Sequence, residues 1–260
     1  MKYISFSLFG RDPNYTLGAV ANSQNSKFFY PGWTPVFYVS PEIETEIIDQ
    51  LLASGSIVIQ SGPMLSKNPR IWRFAAALLP KAEYTIFRDT DSRFSTREVE
   101  AVDQWLNTKH QLHIIRDHPR HYYPIMAGMW GVRSTESMQN SIKEVLSSAR
   151  GVEKPEDQTL LAKILYPRFK EDVFVHDAFY DREPNRGSLA KRNIDGSFIG
   201  EQIDFEGKPN LYHRKIVDLY ERTPFQKLRL RYFDKLRQIV YQFTRVNLYL
   251  LLKSGKTERS

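Results

Sequence analysis

Strand-like and helix-like stretches alternate from residue 2 to residue 177, and this order restricts the fold more than any other feature of the chain. Residues 2–9 alternate apolar and polar positions, with Tyr3 or Ile4, Phe6, Leu8 and Phe9 as apolar bulk. Residues 36–39, 57–59, 82–87, 113–116, 126–132 and 173–175 read as further strands, the last ending at His176-Asp177. Helices are expected between them. One opens at Gly18-Ala19, and another runs from Ser40-Pro41-Glu42 to Leu52. Asn68-Pro69 caps a third over 70–79, Ser95 or Thr96 caps a fourth over 96–107, and two more cover 134–148 and 155–165. Such alternation specifies an α/β fold, a mostly parallel sheet flanked by helices. No internal repeat competes with that reading.

The fourth strand ends in Arg88-Asp89-Thr90-Asp91-Ser92-Arg93. Open α/β sheets bind ligands at the carboxyl edge of their strands, so both carboxylates are expected there. Two carboxylates two residues apart can share one hard cation, which takes its remaining ligands from water and phosphate oxygens. The same D-x-D spacing also occurs in ordinary solvated turns. Its position after an apolar strand, between Arg88 and Arg93, favours a site for a metal and anionic oxygens together. His176, at the end of the last strand, is a candidate third ligand or a plain hydrogen-bonded residue.

This arrangement resembles the GT-A-fold (Rossmann-like) glycosyltransferases that use nucleotide sugars, over about residues 2–180. The resemblance implies that Asp89, Asp91 and His176 hold Mn2+ or Mg2+ against a donor diphosphate, with a UDP-sugar as the first donor to expect. It implies that residues 125–131, Ile-Met-Ala-Gly-Met-Trp-Gly, line the acceptor side. It also gives Glu156-Asp157-Gln158 two possible roles. In inverting members an acid there deprotonates the acceptor, for which Asp157 leads and Glu156 follows; in retaining members an Asp-Gln pair lies near the transferred sugar. The runs Arg-Asp-Thr-Asp-Ser-Arg, Arg-Asp-His-Pro and Ala-Gly-Met-Trp-Gly look like a bacterial and viral polysaccharide-synthesis subgroup. On this reading the acceptor is a glycan or a lipid-linked glycan.

The departing nucleoside diphosphate also calls for bidentate cations, and Arg73, Arg88 and Arg93 are the candidates. Arg73 reads equally well as a helix-surface arginine, and Asp157 equally well as an N-terminal helix acid. Tyr15 is placed to stack on a base, or to serve as a core or rim residue, and Gly18-Ala19 permits close backbone approach. His113, His118 and His121 lack the spacing of a zinc helix, so the 117–121 run is read as sugar-binding or plain loop rather than a zinc site.

Charge divides the chain. From Pro224 to Ser260 nine basic residues accompany two acidic ones, so the whole net charge of +7 lies in this tail. Residues 1–180 are expected to form the catalytic domain, 181–223 a loop or flap, and 224–260 a basic amphipathic helical tail. Phe225, Leu228, Tyr232, Leu236, Ile239, Phe243, Val246 and Leu250 recur at steps of three or four. Over 224–253 that pattern suits either an anionic membrane surface or docking on the core.

The chain has no cysteine, which excludes disulfides, thiolate metal sites and cysteine nucleophiles. No run approaches the roughly 18 apolar residues of a membrane span, and residues 1–9 lack the features of a secretory signal. The expected location is the cytoplasm, with the inner membrane face as a peripheral site. Two other classes compete with transfer. A metal-dependent phosphohydrolase would use Asp89 as nucleophile or ligand, but the haloacid-dehalogenase type places its D-x-D after the first strand, whereas this one follows about the fourth. A nucleic-acid-binding module would use the tail and leave the acid pair and the neutral body idle.

Overall fold

The computed structural model describes residues 1–151 and 156–244, with side chains described as far as Leu236 in the last helix. Strand β1 (Lys2–Leu8) leads to helix α1 (Pro13–Phe29), β2 (Trp33–Val39), α2 (Thr45–Ala53) and β3 (Ile57–Gln60). A 3₁₀ helix (Pro69–Leu78) precedes β4 (Tyr84–Arg88), α3 (Thr96–Leu106), β5 (Leu112–Arg116), β6 (Met129–Arg133) and α4 (Glu136–Ser148). Next come α5 (Glu156–Leu160), a π turn over Leu161–Leu165 and α6 (Tyr166–Phe169). The chain then forms β7 (Val173–Asp177), β8 (Arg186–Gly187), α7 (Leu211–Arg222) and α8 (Pro224–Thr244).

The eight strands form one sheet in the order β3-β2-β1-β4-β6-β5-β7-β8. Every neighbouring pair is parallel except the two made by β6, which lies antiparallel between β4 and β5. The chain builds outward from β1 to β2 and β3, then returns to place β4 on the other side of β1. That reversal opens a crevice above the carboxyl ends of β1 and β4, the place where such sheets receive ligands.

Apolar layers cover both faces. On one, Phe74 of the 3₁₀ helix, Phe87 of β4 and Trp130 of β6 meet with ring centroids 5.1 and 4.2 Å from Trp130. On the other, Phe6 and Phe37 stack at 4.7 Å beneath α1 and α2, and Trp105 of α3 closes the layer.

Local chemistry explains the element starts. Asn68 accepts from Arg70 N–H ahead of Pro69, and Ser95 accepts from Glu98 N–H, as the sequence suggests. Helix α1 begins five residues before the expected Gly18, because Asp12 accepts from Asn14 N–H and Pro13 sets the first helical φ. The segment 181–223 is less loop-like than expected: it contributes β8 and α7. Buried ion pairs fasten it to the sheet. Arg116 bonds Asp177 at 2.7 Å and also Glu183, while Asp117 accepts from Arg97 and Arg192 at 2.8 and 2.7 Å. Breaking such a pair from one side typically costs about 3–5 kcal/mol. The expected tail continues as helix α8; Val246, Leu250 and the basic residues from Arg245 onward lie outside the described residues, as do the side chains of Ile239 and Phe243.

Candidate active site

Asp89 and Asp91 follow β4 directly and line a cavity of about 440 Å³. Period-two alternation sends Phe87 and Asp89 to one face of the sheet and Arg88 to the other. The turn carrying both acids is clamped from several sides. Asn22 Nδ2 donates to Thr90 and Ser92 carbonyls at 3.2 and 2.9 Å, and Arg93 Nη1 donates to the same two at 3.0 and 2.9 Å. From the 181–210 segment, Ile203 N–H donates to Asp91 O at 2.7 Å. Gly18 packs so tightly that a β-carbon there would lie 2.3 Å from Thr90 O. Gly18 and Arg93 therefore hold the acid turn from behind. Neither lines the cavity, where the sequence reading set them against a nucleotide.

Arg73 organises the opposite wall. It is 4% exposed, and its Nη1 donates to Arg88 O at 3.0 Å and to Asp89 Oδ1 at 2.5 Å. Its Nη2 lies 3.9 Å from Asp157 Oδ2. Two β1 hydroxyls fix its backbone: Ser5 Oγ donates to Arg73 O at 2.7 Å and Ser7 Oγ accepts Arg73 N–H at 3.0 Å. The surface-arginine alternative thus gives way to a buried fork between two carboxylates.

Asp157 lines the cavity and is buried. Burial raises its carboxyl above the ordinary aspartate value, the Arg73 charge opposes that rise, and Asp89 adds to it. Glu156 points elsewhere: it accepts from Asn68 Nδ2 and from Arg150 N–H, both at 2.9 Å. Burial pushes its carboxyl up, but the Arg150 N–H and Asn68 side chain hold it below its usual value. Glu156 is thus a brace between two segments and not a member of the cavity wall.

Tyr15 lines the cavity half-buried, its hydroxyl raised by burial and then by Asp91, so it stays a neutral phenol. His121 also lines it. Its Nδ1 accepts Asp117 N–H at 3.1 Å, which places the ring proton on Nε2. Burial holds this imidazole well below the ordinary histidine value, so it is neutral. His118, by contrast, packs among Phe198, His121 and His213 and accepts Arg120 N–H at 3.0 Å.

Two further expected residues sit away from the cavity. Arg88 is 2% exposed and donates to Glu98 at 2.6 Å and to the carbonyls of Phe87 and Trp130. It serves the face covered by α3 and lies outside the cavity wall. His176 ends β7 on the expected edge, but β6 and β5 intervene, a span of about 14 Å from β4 at ordinary strand spacing. Its Nδ1 accepts from His113 Nε2 at 2.9 Å and its Nε2 donates to Gln104 Oε1 at 3.2 Å. Both ring nitrogens are occupied, and His176 does not join the acid pair. Among the described residues no set of three His, Cys, Asp or Glu side chains converges to hold a metal.

Ser7, Phe9, Arg70 and Gly200 also line the wall, a place the sequence reading did not give them. Ser5 and Ser7 carried a usable signal, being polar positions of one parity inside an otherwise apolar strand. Gly200 carried none, since its role is a positive φ of 80° against Met129.

The two acids suit Mg2+ or Mn2+ by the chemistry of their donors. They supply hard oxygens to an open cavity, and such ions are commonly bound by one or two carboxylates plus water and substrate phosphates. Asp89 keeps half its side-chain surface exposed, with Oδ2 free of the Arg73 contact that occupies Oδ1.

No protein-family model matches the chain, and no curated protein matches its sequence. Among solved structures, the chain is similar to S. aureus TarS 1-349, with a TM-score of 0.47 and 13% identity over 72% of this chain. The match spans 60% of that chain, less than two thirds of its length. It is also similar to M. tuberculosis glucosyl-3-phosphoglycerate synthase in complex with Mn2+, uridine-diphosphate and phosphoglyceric acid. There the TM-score is 0.44 and identity 15%, covering 74% of this chain and 71% of that one.

Proposed function

We propose that the protein is a metal-dependent glycosyltransferase that moves a sugar from a nucleoside-diphosphate sugar, a UDP-sugar first among them, to a glycan or lipid-linked acceptor. One observation carries the reading. The acid pair at the end of central strand β4 shares a single cavity with a buried arginine fork, a tyrosine and a buried aspartate. A donor diphosphate needs cationic partners, a base platform and a nearby proton acceptor for the incoming hydroxyl, and this wall offers each of them.

Asp89 and Asp91 would hold Mn2+ or Mg2+. Bound there, the ion would act as a Lewis acid toward the departing diphosphate. Arg73 orients Asp89 through Oδ1 and opposes the rise that burial imposes on the Asp157 carboxyl, while Arg70 adds a second guanidinium to the wall. Tyr15 presents a neutral ring to the nucleotide. Asp157 takes the proton of the acceptor hydroxyl, and its raised carboxyl makes it a stronger base than an exposed aspartate. His121, pinned as an Nε2–H donor, offers a hydrogen bond to a sugar oxygen. The polysaccharide-synthesis assignment rests on the sequence runs around Asp89, Arg116 and Gly128.

A thermal-shift screen of nucleotide sugars with and without Mn2+ tests this reading. A ligand at a hundred times its Kd stabilises the folded state by about 2.7 kcal/mol. The expected result is a metal-dependent rise in Tm for one nucleotide-sugar class. Absence of any rise across the donor panel in the presence of metal counts against the proposal.

A further inference from the structure

Helix α8 docks on the protein through its charged side. Asp234 is 3% exposed and receives Arg182 Nε and Nη2 at 2.7 and 2.5 Å. Arg231 reaches Asp181 at 2.6 Å and donates to Phe179 O at 3.2 Å, and the Lys227 ammonium lies 5.3 Å from the Phe179 ring centroid. Leu230 packs beside them, in the cluster of Phe179, Tyr180 and Val217. Positions 227, 230, 231 and 234 have the spacing of one helical face.

The opposite face carries the larger apolar side chains. Phe225, Leu228 and Tyr232 are 68%, 65% and 60% exposed, and Leu236 is 39% exposed. An ordinary surface helix turns its apolar stripe to the core and its charges to water; α8 does the reverse over its described side chains. Arg229 and Lys235 adjoin the outward stripe and are exposed. Asp234, the one acid between Pro224 and Leu236, is buried on Arg182. The outward surface is therefore apolar and cationic, with no exposed carboxylate over residues 224–236.

We propose that α8 is an in-plane membrane-binding element for anionic bilayers. Phe225, Leu228, Tyr232 and Leu236 enter the interface, while Arg229 and Lys235 meet anionic headgroups. Charge complementarity selects this occupant over a second copy of the chain. A twofold contact through the same stripe would bring Arg229 and Lys235 against their own likenesses, with no acid on the face to offset them. The docked face also gives the surface a place relative to the cavity. Arg182 donates to Tyr122 O at 2.8 Å and the Tyr180 hydroxyl donates to Pro119 O at 2.5 Å. These carbonyls belong to the loop that carries His121 into the cavity wall, so Arg182 links the helix to that side of the cavity. Membrane binding stands on α8 alone and does not require the catalytic reading.

The test is co-sedimentation of the full chain with phosphatidylcholine vesicles, with and without phosphatidylglycerol, together with a measurement of oligomeric state. Wild type is expected to bind only vesicles containing phosphatidylglycerol, more weakly as salt is raised. Phe225→Ser, Leu228→Ser and Tyr232→Ser combined should lower that binding by more than about tenfold, with Tm and helical signal unchanged because all three side chains are exposed. Arg229→Gln with Lys235→Gln should lower it severalfold and flatten its salt dependence. Failure of wild type to bind phosphatidylglycerol vesicles overturns the proposal, as does unchanged binding by the triple variant. A concentration-dependent dimer abolished by the triple variant assigns the face to a second copy and overturns it as well.

Discussion

Gly128 lies directly against Asp89: a β-carbon at position 128 would stand 1.8 Å from Asp89 Oδ2 and 2.5 Å from its carboxyl carbon. Oδ1 is held by Arg73 and Oδ2 lies over bare glycine backbone, so the carboxylate is constrained from two sides. Gly128→Ala must displace it. Misplacing a reacting group by about 1 Å can cost on the order of a hundredfold in rate, and Gly128→Ala is expected to lower metal-dependent donor hydrolysis by that order. Steady-state kinetics beside a Tm measurement check it; full activity with a folded protein would show that the Asp89 pose is irrelevant.

Asp157 should set the acid limb of the pH profile. Its carboxyl is raised chiefly by burial, so the base form is lost as pH falls through a value above the ordinary 3.8. Transfer is expected to decline on that limb, and Asp157→Asn to lower kcat by about 10²–10⁴-fold while removing the limb. An unchanged profile in the Asn variant would transfer the role to another group.

Much of the fold was readable from local chemistry. Asn68-Pro69 and Ser95 mark helix starts through hydrogen bonds within a few residues, and Asp89-Thr90-Asp91 is tied to its strand by adjacency. Strand period two also separates Arg88 from Asp89, a signal that tells against the phosphate role expected of it. Strand order was not readable. The distance of His176 from the acid pair follows from β6 and β5 lying between β4 and β7, and no residue near position 176 encodes that. Arg192 meets Asp117 across 75 positions of chain, so the fastening of the 181–210 segment emerges only on folding. Helix α8 shows the same limit: its periodicity named an apolar face but not the side on which the helix docks.

His176→Gln separates the two readings of that residue. Gln retains an acceptor for His113 Nε2–H and cannot take up a proton at the site. Metal-dependent activity is expected to persist, because the ring nitrogens serve His113 and Gln104. Loss of metal affinity in a folded variant would restore His176 as a ligand.

Acid sensitivity follows from the same histidines. Burial, with a smaller contribution from Arg97, lowers His176 to about 4; burial likewise lowers His118 to about 4 and holds His113 and His121 well below 6.5. The unfolded chain therefore binds more protons than the folded one between about pH 6.5 and 4, so stability is full above 6.5 and falls on acidification through that window. The His176 shift alone corresponds to roughly 3 kcal/mol. Denaturant titrations at several pH values should show this slope, reduced in His176→Gln. A flat response from pH 7 to 4.5 would show that these rings are not held neutral.

His121 is expected to remain the neutral Nε2–H tautomer, since Asp117 N–H occupies Nδ1. Imidazole ¹⁵N shifts from pH 8 to 5 check it, and a proton found on Nδ1 would remove His121 as a donor to sugar oxygens.

Calorimetric titration of uridine diphosphate in the presence of Mn2+ addresses the acid pair most directly. Wild type is expected to bind with metal and to lose at least about tenfold in affinity when the metal is chelated, with Asp91→Asn showing the same loss at saturating metal. Equal affinity with and without metal, in wild type and Asp91→Asn alike, would contradict the account.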